Sequence, residues 1–161
     1  MFDGEFKRHL DAKGRIMIPA EYREEIEGDH IHVILGFEQN LMLLLPAQYE
    51  QIRDYVASLN LLDPNARRMR RMFIAKAKEL SIDGNNRIRV PADLLELTGF
   101  DNSSSVILAG NGSYIELWTE QKWQEFNQSL MDPALNEERF KDFSIILSNP
   151  EAKDDPGPLI M

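Results

Sequence analysis

The amino-acid sequence predicts a mainly β protein with short helices (α+β), made of two tandem copies of one unit. The main observation is a motif that occurs twice, as Asp11-Ala-Lys-Gly-Arg15-Ile-Met-Ile-Pro19 and, seventy-two residues later, as Asp83-Gly-Asn-Asn-Arg87-Ile-Arg-Val-Pro91. The likeness continues beyond the motif, because Gly36 matches Gly110 at a spacing of 74. In both copies the motif is followed by short β-rich runs that Gly and Pro interrupt.

Each motif has the residues of a tight turn that leads into a strand. Asp11 and Asp83 can open the turn, because an aspartate side chain bonds backbone amides two residues on. Gly14 and Asn86 stand where a positive φ is needed, and these residue types tolerate it best. An arginine then begins a short strand, which the proline ends, since proline has no ladder donor.

Two units follow, and neither has enough elements for a core of its own. The first spans about 5–48 with a following helix to about 60, and the second spans about 77–120 with a helix to about 130. A lone core of this size is marginal, and strand edges must be covered or paired. We therefore predict one pseudo-two-fold, closed β-barrel made from both halves, with helices outside. Residues 131–161 are expected to be helical at first and then a disordered acidic tail.

In the first copy, residues 5–10 run into the motif turn and predict a hairpin. Pro19 and Gly28 bracket a predicted helix over 20–27. Strands are expected at 30–35 and at Leu41–Leu45. Because the second of these is apolar throughout, both its faces should be buried, with one available for a subunit contact. Pro46 then opens a helix, and one face of it carries Tyr49, Ile52, Val56 and Leu59.

The segment between the copies begins with a helix start at Asp63-Pro64. That helix should turn Ala66, Met69, Met72 and Phe73 inward and leave four arginines largely outward: Arg67, Arg68, Arg70 and Arg71. In the second copy we expect a strand at 77–82, a helix at 92–98, and strands at 105–109 and 113–118 around the turn signal Gly110-Asn111-Gly112. Further helices should follow Thr119 and Asp132. Aromatic residues at core-like spacing are Tyr49, Trp118, Trp123 and Phe126.

Composition limits the classes of protein. The chain carries a net charge of −9, yet residues 64–90 hold eight Lys and Arg against two acidic residues, so a basic patch is hidden in the total. There is no cysteine, which excludes disulfides and thiol catalysis. With no long apolar run and no leader-like start, we expect a cytoplasmic protein without a membrane partner.

The paired Asp-x-x-x-Arg-x-x-x-Pro motifs, the segments Pro46–Tyr49 and Trp118–Trp123, and the Arg-Arg-Met-Arg-Arg helix between the copies resemble the bacterial MraZ family. That family belongs to the AbrB/SpoVT-like class of swapped-hairpin barrels. The resemblance covers about residues 1–145. It implies a nucleoid-associated DNA-binding regulator, which we interpret as a repressor. Such a protein would act on the division and cell-wall gene cluster and its own promoter, binding repeated boxes of double-stranded DNA as a homo-oligomeric ring.

In this family the motif loops face DNA, which implies roles for Lys13 and Arg15 in the first copy and for Arg87 and Arg89 in the second. Lys7 and Arg8 lie beside the first hairpin and are further DNA-binding candidates. The second copy departs from the family in having Asn85-Asn86 before its arginine. The other reading of Arg15 and Arg87 is a turn salt bridge to Asp11 and Asp83. Both readings can hold together if the aspartate fixes the guanidinium for bidentate contact.

Other features have more than one reading. The cluster Arg67, Arg68, Arg70 and Arg71 could contact phosphate, a neighbouring subunit or only solvent, and we favour the subunit. His30 and His32 share a strand face, but no third metal ligand is signalled, so no metal site is predicted. No cofactor and no small-molecule substrate are predicted either. No catalytic residue is found, since an arginine beside each of Asp11 and Asp83 opposes a shared proton. The alternatives to a DNA regulator are an antitoxin-like autorepressor and a structural ring or adaptor that does not bind DNA.

Overall fold

The computed structural model describes residues 1–101 and 105–143, and the predicted disordered end from about residue 149 lies outside them. The chain divides into two compact units, Met1–Trp123 and Gln124–Met161. The strands are β1 Glu5–His9, β2 Arg15–Met17, β3 His30–Leu35, β4 Leu41–Leu44, β5 Lys78–Ser81, β6 Arg87–Arg89, β7 Ser105–Gly110 and β8 Ile115–Thr119. The helices are α1 Ala20–Arg23, α2 Pro46–Ser58, α3 Pro64–Arg70, α4 Ala92–Leu97, α5 Glu120–Leu130 and α6 Pro133–Phe140, and a π-helical turn, Arg71–Ala75, follows α3.

The strands of the two copies are exchanged. One sheet has six strands in the order β1-β7-β8-β4-β3-β5, and the other is a two-stranded antiparallel ribbon of β2 and β6. Strand β1 of the first copy pairs with β7 of the second, and β5 of the second pairs with β3 of the first. The ribbon and the β4–β8 pair also join the copies. The predicted mainly β fold with two swapped repeats is confirmed, and its closure into one barrel stays a prediction.

An apolar core lies beneath both the sheet and the ribbon. Ile16 and Ile88 face each other across the ribbon, and both are almost fully buried. They belong to the same cluster as Leu41, Leu43 and Leu108 of the large sheet. Burial of each such side chain stabilises the fold by roughly 1.5–3 kcal/mol. Because the cluster contains residues of both copies, the two copies enclose one core together.

The outer face of the large sheet is covered by the chain's own helices. Met42 and Leu44 of β4 are buried in a second cluster with Val56 of α2 and Phe73 of the π-helical turn. The prediction that β4 is buried on both faces is therefore confirmed. A subunit contact is not needed to explain its outer face, because α2 and the turn already cover it.

The helix-start signals are confirmed, while several bounds and side-chain directions differ. Asp63 accepts a hydrogen bond from the Asn65 amide at 2.8 Å and caps α3. Helix α1 is shorter than the predicted span 20–27. Trp118 and Tyr49 are buried, as their predicted packing role requires, and Phe126 is 37% exposed.

Arg70 does not point outward as predicted. Its Nη2 donates to the carbonyls of Ala57 and Leu59 at 3.0 and 2.5 Å, at the C-terminal end of α2. Arg70 lies four residues after the buried Ala66 and therefore shares its helix face. Arg67 is also half-buried and donates to the Leu61 carbonyl at 2.9 Å. These two arginines link α3 to the end of α2 and to the loop between the two helices by hydrogen bonds. Arg68 and Arg71 are exposed.

The described part of the second unit is helical. Asp132 caps α6 by accepting from the amides of Ala134 and Leu135, as its position before a proline predicts. Arg139 donates to the Ser129 carbonyl at 3.1 Å. Over the residues that the structure describes, no helix combines the length and the apolar character that a membrane crossing requires.

Replacing Gly110 tests the join between the N-terminus and the large sheet. A Cβ at this position would lie 2.6 Å from the backbone of Phe2 and Asp3, which is closer than packed atoms tolerate. We expect Gly110→Ala to lower the free energy of unfolding by about 1–3 kcal/mol in urea denaturation. Gly84→Ala is the matched control, since a Cβ there meets nothing within 4 Å, and it should change stability by less than about 0.5 kcal/mol. Equal effects of the two changes would contradict the close approach.

Candidate nucleic-acid interface

The two motif loops have the same geometry. Oδ1 of Asp11 accepts from the amides of Lys13 and Arg15, both at 2.9 Å, and Oδ2 accepts from Nε of Arg15 at 2.7 Å. In the second loop, Oδ1 of Asp83 accepts from the amides of residues 85 and 87 at 2.8 and 2.9 Å, and Oδ2 accepts from Nε of Arg87 at 3.0 Å. One carboxylate thus closes the turn and also fixes the guanidinium of its own loop.

Positive φ occurs where the sequence predicts it. Gly14 has φ of 77° and Asn86 has φ of 60°. Each donates its amide to the carbonyl of its loop's aspartate at 3.0 Å. Asparagine tolerates this backbone region better than other residues with a side chain. The departure of the second motif from glycine therefore leaves the turn intact.

The loop aspartates are held in their ionised form. Hydrogen bonds lower the pKa of Asp11 below its ordinary value of 3.8, and the largest contribution is the bond from the Arg15 amide. The corresponding bond from the Arg87 amide lowers the pKa of Asp83 in the same way. Both carboxylates are therefore charged at neutral pH, which agrees with the argument against a proton-sharing catalytic pair.

The ribbon places the motif arginines together on one face. Its register pairs Arg15 with Arg89, Ile16 with Ile88, and Met17 with Arg87. Because side chains alternate across a strand, the isoleucines point to the core and the other four point outward. Their burial agrees: Arg15 and Arg87 are half-buried beside their aspartates, while Met17 and Arg89 are exposed.

This outward face can bind an anion or a base edge. In each loop the aspartate accepts a hydrogen bond from Nε of the arginine, Arg15 or Arg87. The two terminal nitrogens, Nη1 and Nη2, are therefore the part of each guanidinium that can donate bidentately to DNA. Arg89 adds a third guanidinium. B-DNA's major groove is wide enough for a two-stranded β-ribbon, and arginine forks match both guanine edges and phosphate.

The other predicted DNA-binding residues lie near the ribbon's ends or away from it. Lys13 is at the tip of the first loop and is exposed. Lys7 and Arg8 lie on β1, at the edge of the large sheet. Nζ of Lys7 donates to Glu120 at 3.1 Å, and the Arg8 guanidinium lies 5.7 Å from the centre of the Phe6 ring. A DNA contact by Lys7 would therefore compete with its ion pair.

His30 and His32 have protein partners. His30 lies 2.6 Å from Asp29 through Nδ1, and the His32 ring stacks on Tyr49 with centroids 4.2 Å apart. Burial lowers the pKa of His32, so its neutral form is favoured. Within residues 1–101 and 105–143, no group of three or more His, Asp or Glu side chains is placed to hold a metal ion.

Met17 also lies on the outward face, although the sequence analysis did not name it as a candidate. Met17 is 48% exposed and lies directly opposite Arg87. The signal was available, because Met17 stands two residues after Arg15 and must share its strand face. It corresponds by the motif spacing to Arg89.

The loop aspartates predict a specific pH dependence. Their pKa values are lower in the folded chain than the ordinary 3.8, so their contribution to stability is present above the ordinary pKa and is lost as pH falls through the lower folded values. We expect the double variant Asp11→Asn and Asp83→Asn to be less stable than wild type at pH 7 and to approach it as pH falls below 3.8. Urea unfolding across this acidic range measures this, with the exposed Asp142→Asn as control. A constant gap at every pH would contradict it.

Comparison with known proteins agrees with the duplicated architecture. A family model for the MraZ protein matches the chain twice, over residues 1–72 and 73–143. The transcriptional regulator MraZ of Clostridium acetobutylicum is 32% identical over 145 residues, which cover 90% of this chain and 100% of that protein. The protein of the same name from Shewanella pealeana is 34% identical over 154 residues, with 90% and 100% covered. The chain belongs to the MraZ family, whose matched relatives carry the name of transcriptional regulators.

Proposed function

We propose that the chain is a sequence-specific DNA-binding transcriptional regulator, and not an enzyme, that reads duplex DNA with the β2–β6 ribbon. The observation that carries this proposal is the outward face of the ribbon, where Arg15, Arg87 and Arg89 stand together. Two of these guanidinium groups are fixed by aspartates. A fixed donor fork loses little conformational freedom on binding, which favours affinity.

The net charge of −9 is compatible with this role. Affinity for DNA depends on the basic surface that meets the phosphates, rather than on the total charge. The ribbon collects its three arginines from two halves of the chain, and Lys13 adds a fourth cation at one loop tip. The negative total is due to acidic residues in other parts of the sequence, such as those beyond residue 131.

The regulator acts as a repressor of the division and cell-wall gene cluster, including its own promoter, and is associated with the nucleoid. It binds repeated DNA boxes as a homo-oligomeric ring. A ribbon of three residues per strand contacts only a few base pairs, so one chain binds weakly. Several ribbons on one particle would bind adjacent boxes with an avidity that exceeds the single affinity by orders of magnitude.

Replacing the fixed arginines tests the proposal directly. We expect Arg15→Ala to weaken binding to the protein's own upstream DNA by about 5- to 150-fold per site, the range of about 1–3 kcal/mol for a bidentate contact, with a smaller salt slope. Mobility shift across a salt titration measures both. Arg53→Ala is the matched control, since Arg53 is likewise bonded to an aspartate, Asp54, at 3.2 Å, and lies on α2 away from the ribbon.

Circular dichroism must show that both variants are folded. Unchanged affinity of a folded Arg15→Ala variant would contradict the proposal. Wild-type protein that fails to shift its upstream DNA at low salt would instead favour the structural ring or adaptor.

The exposed arginines of α3 and its following turn are proposed to contact a neighbouring subunit. Arg68 and Arg71 are exposed, while Arg67 and Arg70 fasten the α2–α3 corner. We expect Arg71→Glu to give a smaller particle in sedimentation velocity, because it places like charge against an acidic partner surface. Arg53→Glu on α2 should leave the particle unchanged. An unaltered sedimentation coefficient for Arg71→Glu would leave this cluster as a phosphate-contacting or solvated face.

An antitoxin-like autorepressor remains a second candidate, because the matching family's description includes the term antitoxin-like. An apolar groove on the large sheet's outer side gives that reading a structural basis. It has a volume of about 330 Å³ and is lined by residues that include Phe37, Tyr55 and Phe73. A defined second small protein that co-purifies stoichiometrically, and is lost on Tyr55→Lys, would favour this candidate.

A further inference from the structure

Four residues form the outward face of the ribbon, and a pseudo-two-fold axis relates them in two pairs. The residues of one pair are identical, and those of the other pair differ. The pseudo-two-fold axis passes between Ile16 and Ile88, which face each other. It relates Arg15 to Arg87, and both are arginines held by an aspartate. It also relates Met17 to Arg89, so the same place holds a thioether in one half and a guanidinium in the other.

The four outward positions are far enough apart along the ribbon to face different base pairs. Residues directly opposite in an antiparallel pair have Cβ atoms about 4.5–5.5 Å apart, and residues two apart on one strand are separated by about 6.5–7 Å. Base pairs are stacked about 3.4 Å apart. The Met17–Arg87 pair and the Arg15–Arg89 pair therefore face different base pairs when the ribbon lies in the major groove.

Met17 is unusual on such a face because it is apolar and is not buried. Its exposure is 48%, and its neighbour across the ribbon is a fixed cation. An apolar side chain at this place can neither bind phosphate nor donate to guanine. The apolar group that the major groove offers is the C5-methyl group of thymine.

We propose that Met17 is a specificity-determining residue that contacts a thymine methyl group, and that the DNA box is consequently asymmetric. This inference rests on the proposed DNA-binding function. The three arginines contact guanine or phosphate, while Met17 selects thymine at one position of one half-box. In the half that faces the Arg15–Arg89 pair, Arg89 stands at the corresponding position and contacts guanine or phosphate. The chain therefore binds its box in one direction.

Selection from a random pool of duplex DNA tests the change of preference. The full-length wild type should enrich boxes with a thymine at one position. Met17→Arg should enrich guanine at that position and leave the other positions unchanged. The variant should fold, since arginine already occupies the related position at Arg89. Met131→Ala, which removes a methionine that is 80% exposed outside the ribbon, is the matched control and should select the wild-type box.

Replacing thymine by deoxyuridine tests the contact itself, because it removes only the methyl group. In anisotropy titrations of the selected duplex, wild type should lose about fourfold in affinity at one thymine, the value of one buried methyl group. Met17→Ala should bind the thymine and deoxyuridine duplexes equally. Met131→Ala should retain the fourfold difference.

Three outcomes would overturn the proposal while leaving the proposed function standing. The first is a wild type that binds thymine and deoxyuridine duplexes equally at every position. The second is a Met17→Ala variant that keeps the wild-type difference. The third is a Met17→Arg variant that gains affinity for all sequences without a changed preference. A wild type that enriches no sequence from the pool, and whose binding is unaffected by Arg15→Ala, would overturn both proposals.

Discussion

The antiparallel pairing of β2 with β6 is the interaction on which the rest of the molecule depends. It brings Ile16 and Ile88 together at the centre of the core and turns the residues on either side of them outward. Because side chains alternate on a strand, a pair that is buried at the centre forces its neighbours into solvent. A one-residue shift in register would bury the arginines and expose the isoleucines. The core and the candidate DNA surface are thus fixed by the same register.

Duplication makes this pairing possible. Each copy supplies one strand of the ribbon. Each also supplies one strand that pairs with the other copy: β1 pairs with β7, and β5 pairs with β3. Neither copy encloses a core by itself, because the central cluster draws on both. The swap also sets the two Asp–Arg loops at opposite ends of the ribbon, so each half delivers one fixed guanidinium to the same face. Fold and site therefore derive from one repeat unit whose copies have since diverged at positions such as Met17 and Arg89.

Local chemistry made much of this predictable from the sequence. The Asp11 and Asp83 turns, the positive φ at Gly14 and Asn86, and the Asp63 and Asp132 caps depend on residues within four positions of each other. Arg70 was misassigned because its carbonyl partners belong to α2, and only the folded corner shows that they are within reach. The outward direction of Met17 could be read from its spacing to Arg15, but its place opposite Arg87 follows from a pairing between strands seventy residues apart in the chain. Long-range register, rather than local propensity, was the information that the sequence pattern lacked.

We propose that the outer face of the β2–β6 ribbon enters the major groove of DNA, and the rest of the proposed function depends on this contact. A structure of the full-length protein bound to a duplex chosen by selection measures this most directly. We expect terminal nitrogens of Arg15 and Arg87 within hydrogen-bonding distance of guanine O6 and N7 or of a phosphate oxygen, with each Nε still bonded to its aspartate. A complex in which the ribbon faces solvent or is covered by a neighbouring subunit, while another surface holds the duplex, would contradict it.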